Sequence, residues 1–303
     1  MAVPCTVSKK SVKSEAFDPF KQKTLGSTVS FSGIGLFTGE HVELKLHPLA
    51  PGSGILFQRT DVEGSSPLAA ELKNVVSTPR CTILGNEQVS IHTVEHLLAA
   101  LYAMGLDNLL IELNGPEVPI VDGSARPFVQ AIKEAGFVHQ EADKEIHKLT
   151  SPLYWSQSDV HLVALPSDEL RISYTLHYPQ STYIGSQYCS FAITPETFEE
   201  EISPSRTFCL YEEILPFIEK GLIKGGGPDN AVIIKEDQVI NSEGVRFSDE
   251  MARHKVLDLI GDLSLIPPFT AHIIAIRSGH ASNISFAAEL MNHLNAGENL
   301  NGR

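Results

Sequence analysis

The chain has 303 residues, 42% of them hydrophobic and 20% charged, enough to build two ordinary domains that each bury a core. Its 23 Lys+Arg stand against 37 Asp+Glu, and a formal charge of −14 with no basic run excludes a nucleic-acid partner. Residues 1–23 lack the apolar core of a signal peptide, and no stretch approaches the roughly 20 apolar residues of a bilayer span, so neither export nor stable membrane insertion is expected.

Along the chain, alternation of apolar and polar residues predicts strands at 28–31 and 41–46, joined by the glycine-rich turn Gly33-Ile34-Gly35-Leu36-Phe37-Thr38-Gly39. A helix over 93–104, with Thr93 able to cap it, precedes an apolar strand at 108–113. The loop 114–124 then leads into a helix that ends near Gly136. Residues 140–151 are mostly polar and read as a linker, which divides the chain into two domains at 1–145 and 146–303. The second half repeats the order: alternating strands including 170–176, a helix over 248–263 capped by Ser248, an apolar strand at 271–276, a glycine loop and a helix over 281–294. Such a repeat suggests a duplication in which each copy supplies half of a site. The cysteines Cys5, Cys81, Cys189 and Cys209 form no C-x-x-C pair, which suits a reducing cytoplasm and argues against a Cys-based metal site.

Two segments carry the chemistry. Thr93-Val94-Glu95-His96 opens the helix of the first half, where the dipole discourages protonation of an imidazole and keeps it able to bind metal. In the second half His254, Asp258 and Asp262 fall at i, i+4 and i+8, one stripe of a helix whose other side is Val256, Leu259, Ile260 and Leu263. Taken alone, that stripe equally suits a solvated helix face, and Glu95 equally suits the acidic preference of a helix start. Taken together, His96, His254 and Asp258 can hold one Zn²⁺ with a position left open, and Glu95 can act beside it as a base. Ser278-Gly279-His280 follows an apolar strand on what reads as a mobile loop, suited to protonating a leaving group, and Asp262 can hold that imidazole as a cation. Ser205-Arg206-Thr207-Phe208 places a hydroxyl beside an aromatic ring, by itself a weak signal.

At these residues the chain resembles the UDP-3-O-acyl-N-acetylglucosamine deacetylases. The matching segments are Thr93 through Leu101, the stretch EVPIVDGSARPF at 117–128, Ser205 through Phe208, Gly225-Gly226-Gly227 with Asn230-Ala231, Arg253-His254-Lys255 through Gly261-Asp262-Leu263, and Ser278-Gly279-His280. They occur in order from about 23 to 293. The resemblance implies a metal-dependent amidohydrolase acting in the cytoplasm at the committed step of lipid A synthesis. It implies His96, His254 and Asp258 as ligands of one Zn²⁺ (or iron, in the cell) and Glu95 as general base. His280 would stabilise the oxyanion and protonate the amine, oriented by Asp262, with Thr207 helping to hold the tetrahedral intermediate. Lys255 and Phe208 would contact the nucleotide-sugar. The implied fold is two similar α+β domains, each a mostly antiparallel sheet with one insert, their helices packed between the two sheets. The second insert, about 210–245, would enclose the acyl chain with residues including Ile214, Leu222 and Gly226. The partner is then a small acylated UDP-sugar, and the protein is expected to be a monomer without a fused dehydratase domain. Phe37 stands where the family commonly has histidine, so one contact near the substrate is expected to be lost or replaced. A binding module with a structural metal, and a deacetylase of a soluble amino sugar, are the competing readings of the same residues.

Overall fold

The computed structural model describes residues 6–7 and 20–301. Cys5, and all of the 1–23 segment apart from 6–7 and 20–23, lie outside the described residues. The first half is built on β1 (Val29–Ile34), β2 (His41–Pro48), β3 (Ile55–Arg59), β4 (Leu68–Ala69) and β5 (Leu109–Leu113), in the order β1-β2-β5-β3-β4, with Thr6–Val7 paired to the outer edge of β1. Along β2 the alternation is complete: Val42, Leu44 and Leu46 are fully buried, while His41, Glu43 and Lys45 face water. The second half is built on β6 (Leu153–Gln157), β7 (Val160–Leu165), β8 (Arg171–Tyr178), β9 (Gly185–Ala192) and β10 (His272–Ile276), in the order β6-β7-β10-β8-β9.

The two orders are the same arrangement. β5 lies antiparallel to β2 and parallel to β3, and β10 lies antiparallel to β7 and parallel to β8. In each half one helix precedes the inserted strand and one follows it: α1 (Glu95–Ala103) and α2 (Arg126–Ala135) around β5, then α4 (Glu250–Leu263) and α5 (His280–Asn301) around β10. α1 packs on α4 and α2, α4 on β8, β9 and α5, and α5 also on β6 and β7. The helices therefore fill the space between two sheets, the two-fold α+β architecture expected. Each half also carries a three-stranded insert: Val75–Ser77, Ile83–Gly85 and Ser90–Ile91 in the first, and Phe208–Leu210, Val232–Lys235 and Gln238–Val239 with α3 (Tyr211–Glu219) in the second. Among the described residues no helix is long and apolar enough to cross a membrane.

Local departures from the sequence reading have identifiable causes. The stretch 140–151 is tied down at both ends: Phe137–Asp143 pairs with Lys21–Leu25, and His147–Lys148 pairs with Phe269–Thr270. Its polarity is that of strands with a wet side, one end paired to the first half and the other to the second. Thr93 does not cap α1. It has φ 58°, and its hydroxyl donates instead to Glu117 Oε1 at 2.9 Å. The fully buried Glu117 carboxylate also accepts from the N–H of Phe37 at 3.0 Å and from the N–H and hydroxyl of Thr38 at 2.9 and 2.8 Å, so it joins the glycine-rich turn to the start of α1. Ser248 likewise does not cap α4, which begins at Glu250 after Asp249.

Where α1 crosses α4, a Cβ built on Gly261 would collide with the main-chain carbonyl of Glu95 and lie 2.9 Å from its Cα. Only a residue without a side chain permits this approach. Alanine ordinarily favours a helix interior over glycine, so the sign of its effect here is diagnostic. Gly261→Ala is expected to lower unfolding stability by about 1–3 kcal/mol, as overpacking does; equal or higher stability in a denaturant titration would show that the crossing has room to spare.

Candidate metal centre

The crossing brings together side chains from the two halves. His96 lies in the first turn of α1, and His254 and Asp258 lie one turn apart on α4; they are 5%, 2% and 3% exposed. Asp258 Oδ1 is 3.6 Å from His96 Nε2 and 3.3 Å from His254 Nε2, and one ligand atom from each residue falls within 4.8 Å of the others. The imidazoles meet edge to face, with centroids 4.9 Å apart. The stripe on α4 is thus a buried interior face, and the solvated-face reading is corrected: it is covered by α1.

The donor chemistry fits a cation. His254 Nδ1 is 3.1 Å from the carbonyl oxygen of Ser205, which can only accept, so the proton sits on Nδ1 and Nε2 offers its lone pair. Burial lowers the His254 pKa to about 4, favouring the neutral form. Its lone pair faces Asp258 Oδ1, a buried oxygen that accepts no hydrogen bond. A lone pair confronting an orphaned carboxylate oxygen in a low-dielectric space is unfavourable unless a positive ion lies between them. Two nitrogen donors and one oxygen donor suit Zn²⁺ or Fe²⁺. The other oxygen, Asp258 Oδ2, accepts from Lys255 Nζ at 2.6 Å. Burial opposes ionisation of Asp258, but the surrounding positive groups, Lys255 among them, outweigh it and hold the carboxyl well below its usual range.

Beside these three stand Glu95, Asp262 and His280. Glu95 is buried, and burial raises its pKa, with His280 and His96 opposing. Its Oε1 is 3.8 Å from His280 Nε2, and its Oε2 accepts from the N–H of Thr82 at 3.0 Å. His280 Nδ1 donates to Asp262 Oδ2 at 2.9 Å. Burial alone would lower the His280 pKa, but Asp262 and Glu95 overcome it and push the value up to about 9. The expected mobile loop position is corrected: His280 is the first residue of α5 and its side chain is mostly buried. Two further residues touch this group without any sequence signal. Thr82 donates its hydroxyl to Asp262 Oδ1 at 2.5 Å, and Asn283 donates to Asp262 Oδ2 at 2.8 Å.

The group opens into a cleft of about 390 Å³ walled by Leu36, Phe37, Thr207, Phe208, Lys255 and His280 among others. Phe208 meets the rings of His254 and Tyr178 edge to face, at 6.4 and 5.8 Å. Arg80 also lines it and lies 4.4 Å over the ring of Phe217 in α3, which places the second insert at the cleft's border. Ile214, Leu222 and Gly226 are not part of the cleft wall: Ile214 is buried within the insert and Leu222 is 51% exposed. Gly226 belongs to the segment that docks on the rim, where the N–H groups of Lys224 and Gly225 donate to the carbonyls of Phe37 and Leu36 at 3.2 and 3.0 Å.

The chain is also similar to known proteins over most of its length. The LpxC family model, described as UDP-3-O-acyl N-acetylglycosamine deacetylase, matches residues 22–292. A UDP-3-O-acyl-N-acetylglucosamine deacetylase of Chlamydia pneumoniae is 49% identical over 275 residues, covering 90% of this chain and 98% of its own. Proteins of the same name from Chlamydia felis (strain Fe/C-56) and Chlamydia trachomatis serovar D are 47% and 46% identical over 274 residues each, again 90% of this chain.

The strand that carries Phe208 is fixed to α4 by a buried ion pair. Arg206 donates through its main-chain N–H and its Nε to Glu250 Oε1, at 3.0 and 2.9 Å, and both side chains are almost fully buried. Burial opposes ionisation of Glu250, but its bonds from Arg206 and from the N–H of Arg246 prevail and lower the pKa. Because the folded value lies below the ordinary one of about 4.3, the stabilisation is complete above that pH and is lost as pH falls through the folded value. Glu250→Gln should cost about 3–5 kcal/mol near neutrality, as breaking a buried pair does. The gap from the parent should narrow as acid protonates the parent's Glu250; a gap independent of pH would contradict an ionic origin.

Proposed function

The chain belongs to the UDP-3-O-acyl-N-acetylglucosamine deacetylase family, and we propose on that premise that it hydrolyses the N-acetyl group of an acylated UDP-N-acetylglucosamine. Water and the amide give acetate and the free amine, the committed step of lipid A synthesis, carried out in the cytoplasm by a monomer. The observation that carries the reading is the orphaned Oδ1 of Asp258, facing two imidazole nitrogens and flanked by Glu95 and His280.

His96, His254 and Asp258 would hold one Zn²⁺, with iron compatible with the same donors. When bound, the ion supplies Lewis acidity and lowers the pKa of coordinated water from 15.7 toward about 7. Glu95, its Oε2 held by the N–H of Thr82, accepts the proton of the attacking water at Oε1. His280, its Nδ1–H held by Asp262, presents a protonated Nε2 that stabilises the developing oxyanion and then protonates the amine. The hydroxyl of Thr207, on the cleft wall, adds a donor to the same oxygen. Phe208 and Lys255 line the path of the sugar, Lys255 while also bonded to Asp258. Ile214, Leu222 and Gly226 belong to the insert we assign to the 3-O-acyl chain, and they lie away from the cleft wall. Phe37 on the rim offers an apolar contact where relatives commonly offer an imidazole.

Glu95→Gln is expected to keep its metal and lose about 10²-fold or more of its acetate release; near-normal turnover would remove Glu95 from the chemistry. His254→Ala is expected to lose metal on dialysis, and a retained stoichiometric ion would contradict its place as a ligand. A substrate without the 3-O-acyl chain should turn over poorly, and equal turnover would point to a deacetylase of soluble amino sugars.

A further inference from the structure

Thr82 lies on the first-half insert, just after Arg80, whose φ of 65° turns the chain inward. It is fully buried, and all its polar groups are engaged at the boundary between the two halves. Its N–H donates to Glu95 Oε2 at 3.0 Å, its hydroxyl donates to Asp262 Oδ1 at 2.5 Å, and its carbonyl accepts from the N–H of Val94 at 3.5 Å. Glu95 comes from α1 and Asp262 from α4, so one residue of a loop touches both.

The Asp262 carboxylate has no Lys or Arg partner among its contacts. Oδ2 accepts from His280 Nδ1 and Asn283 Nδ2, at 2.9 and 2.8 Å, and Thr82 supplies the donor to Oδ1. These three donors fix the plane of the carboxylate, and that plane fixes the imidazole of His280. Thr82 Oγ1 is also 3.4 Å from His280 Nδ1, close enough to confine the ring. A buried threonine needed only for packing would satisfy its hydroxyl on a nearby carbonyl, whereas this one spends it on the carboxylate that holds His280.

We propose that Thr82 is a positioning residue that sets the general base and the general acid relative to each other, its N–H locking Glu95 and its hydroxyl locking the Asp262–His280 pair. The inference rests on the deacetylase reading for its kinetic consequence and on geometry alone for its structural one. Removing the hydroxyl leaves Asp262 Oδ1 buried without a donor and frees the carboxylate to rotate, while the N–H contact to Glu95 persists. None of the three metal-binding side chains loses a partner.

The test is Thr82→Val, which keeps shape and the main-chain N–H, beside Thr82→Ser, which keeps the hydroxyl, both in the metal-loaded full chain. For Val, kcat should fall about 10- to 100-fold with KM and metal content within about threefold of the parent, and Ser should recover most of the loss. The low-field N–H resonance of His280 should shift or broaden in Val and return in Ser. A Val variant with kcat within about threefold of the parent, or one whose loss follows metal content or KM, overturns the proposal. Should the parent release no acetate, the deacetylase reading falls, and the His280 resonance still decides: an unchanged signal in Val overturns the positioning role.

Discussion

Where α1 meets α4, the backbone of Glu95 rests on Gly261 with no side chain between them. That contact sets the separation of two helices from different halves of the chain, and the rest of the centre follows from it. With the axes this close, the first turn of α1 projects His96 toward Asp258 and Glu95 toward His280. A methyl group at the crossing would push the helices apart by more than the few tenths of an ångström that metal coordination tolerates. The convergence of His96, His254 and Asp258 thus depends on a residue that carries no functional group.

The same closeness makes the site electrostatically expensive, and the structure offsets the cost residue by residue. Three carboxyl groups lie within a few side chains of one another, each buried, and an isolated buried ion costs several kcal/mol. Asp262 is satisfied by three hydrogen bonds, Asp258 Oδ2 by Lys255, and Glu95 Oε2 by a main-chain N–H. Asp258 Oδ1 accepts no hydrogen bond, and it faces the imidazoles of His96 and His254. A buried carboxylate oxygen without a donor, set against imidazole nitrogens, is a place that favours a cation.

Much of this was legible in the sequence because it obeys short periodicities. The i, i+4 spacing of His254 and Asp258, and the pairing of Glu95 with His96 at a helix start, placed two half-sites, while alternation in β2 revealed the sheet. Burial of the polar stripe was not legible, since 254, 258 and 262 have the same pattern whether water or α1 lies opposite. Thr82 and Asn283 were missed for a related reason: their roles come from contacts across 180 and 21 residues that no local pattern marks. Thr93 misled because a threonine before a helix usually caps it, and here the buried Glu117 competes more strongly for its hydroxyl. The strand pairing within 140–151 was not legible because strands with an exposed side have the same polarity as a connecting segment.

The duplicated topology explains why the centre is asymmetric. α1 and α4 occupy equivalent places in the two halves, each leading into a strand flanked by one antiparallel and one parallel neighbour. They touch out of register: α1 at its first turn and α4 near its last, at Gly261. The first half therefore contributes side chains at the positive end of a helix dipole, where a carboxylate such as Glu95 is favoured. α4 contributes from its interior, where an i, i+4 pair can present two ligands side by side. His280 also begins a helix, so its proton is held against the dipole of α5, and Asp262 is what opposes that field. Two equal halves would give two equal half-sites; the displaced crossing instead sets Glu95 at one helix start, His280 at another, and His254 and Asp258 on α4 between them.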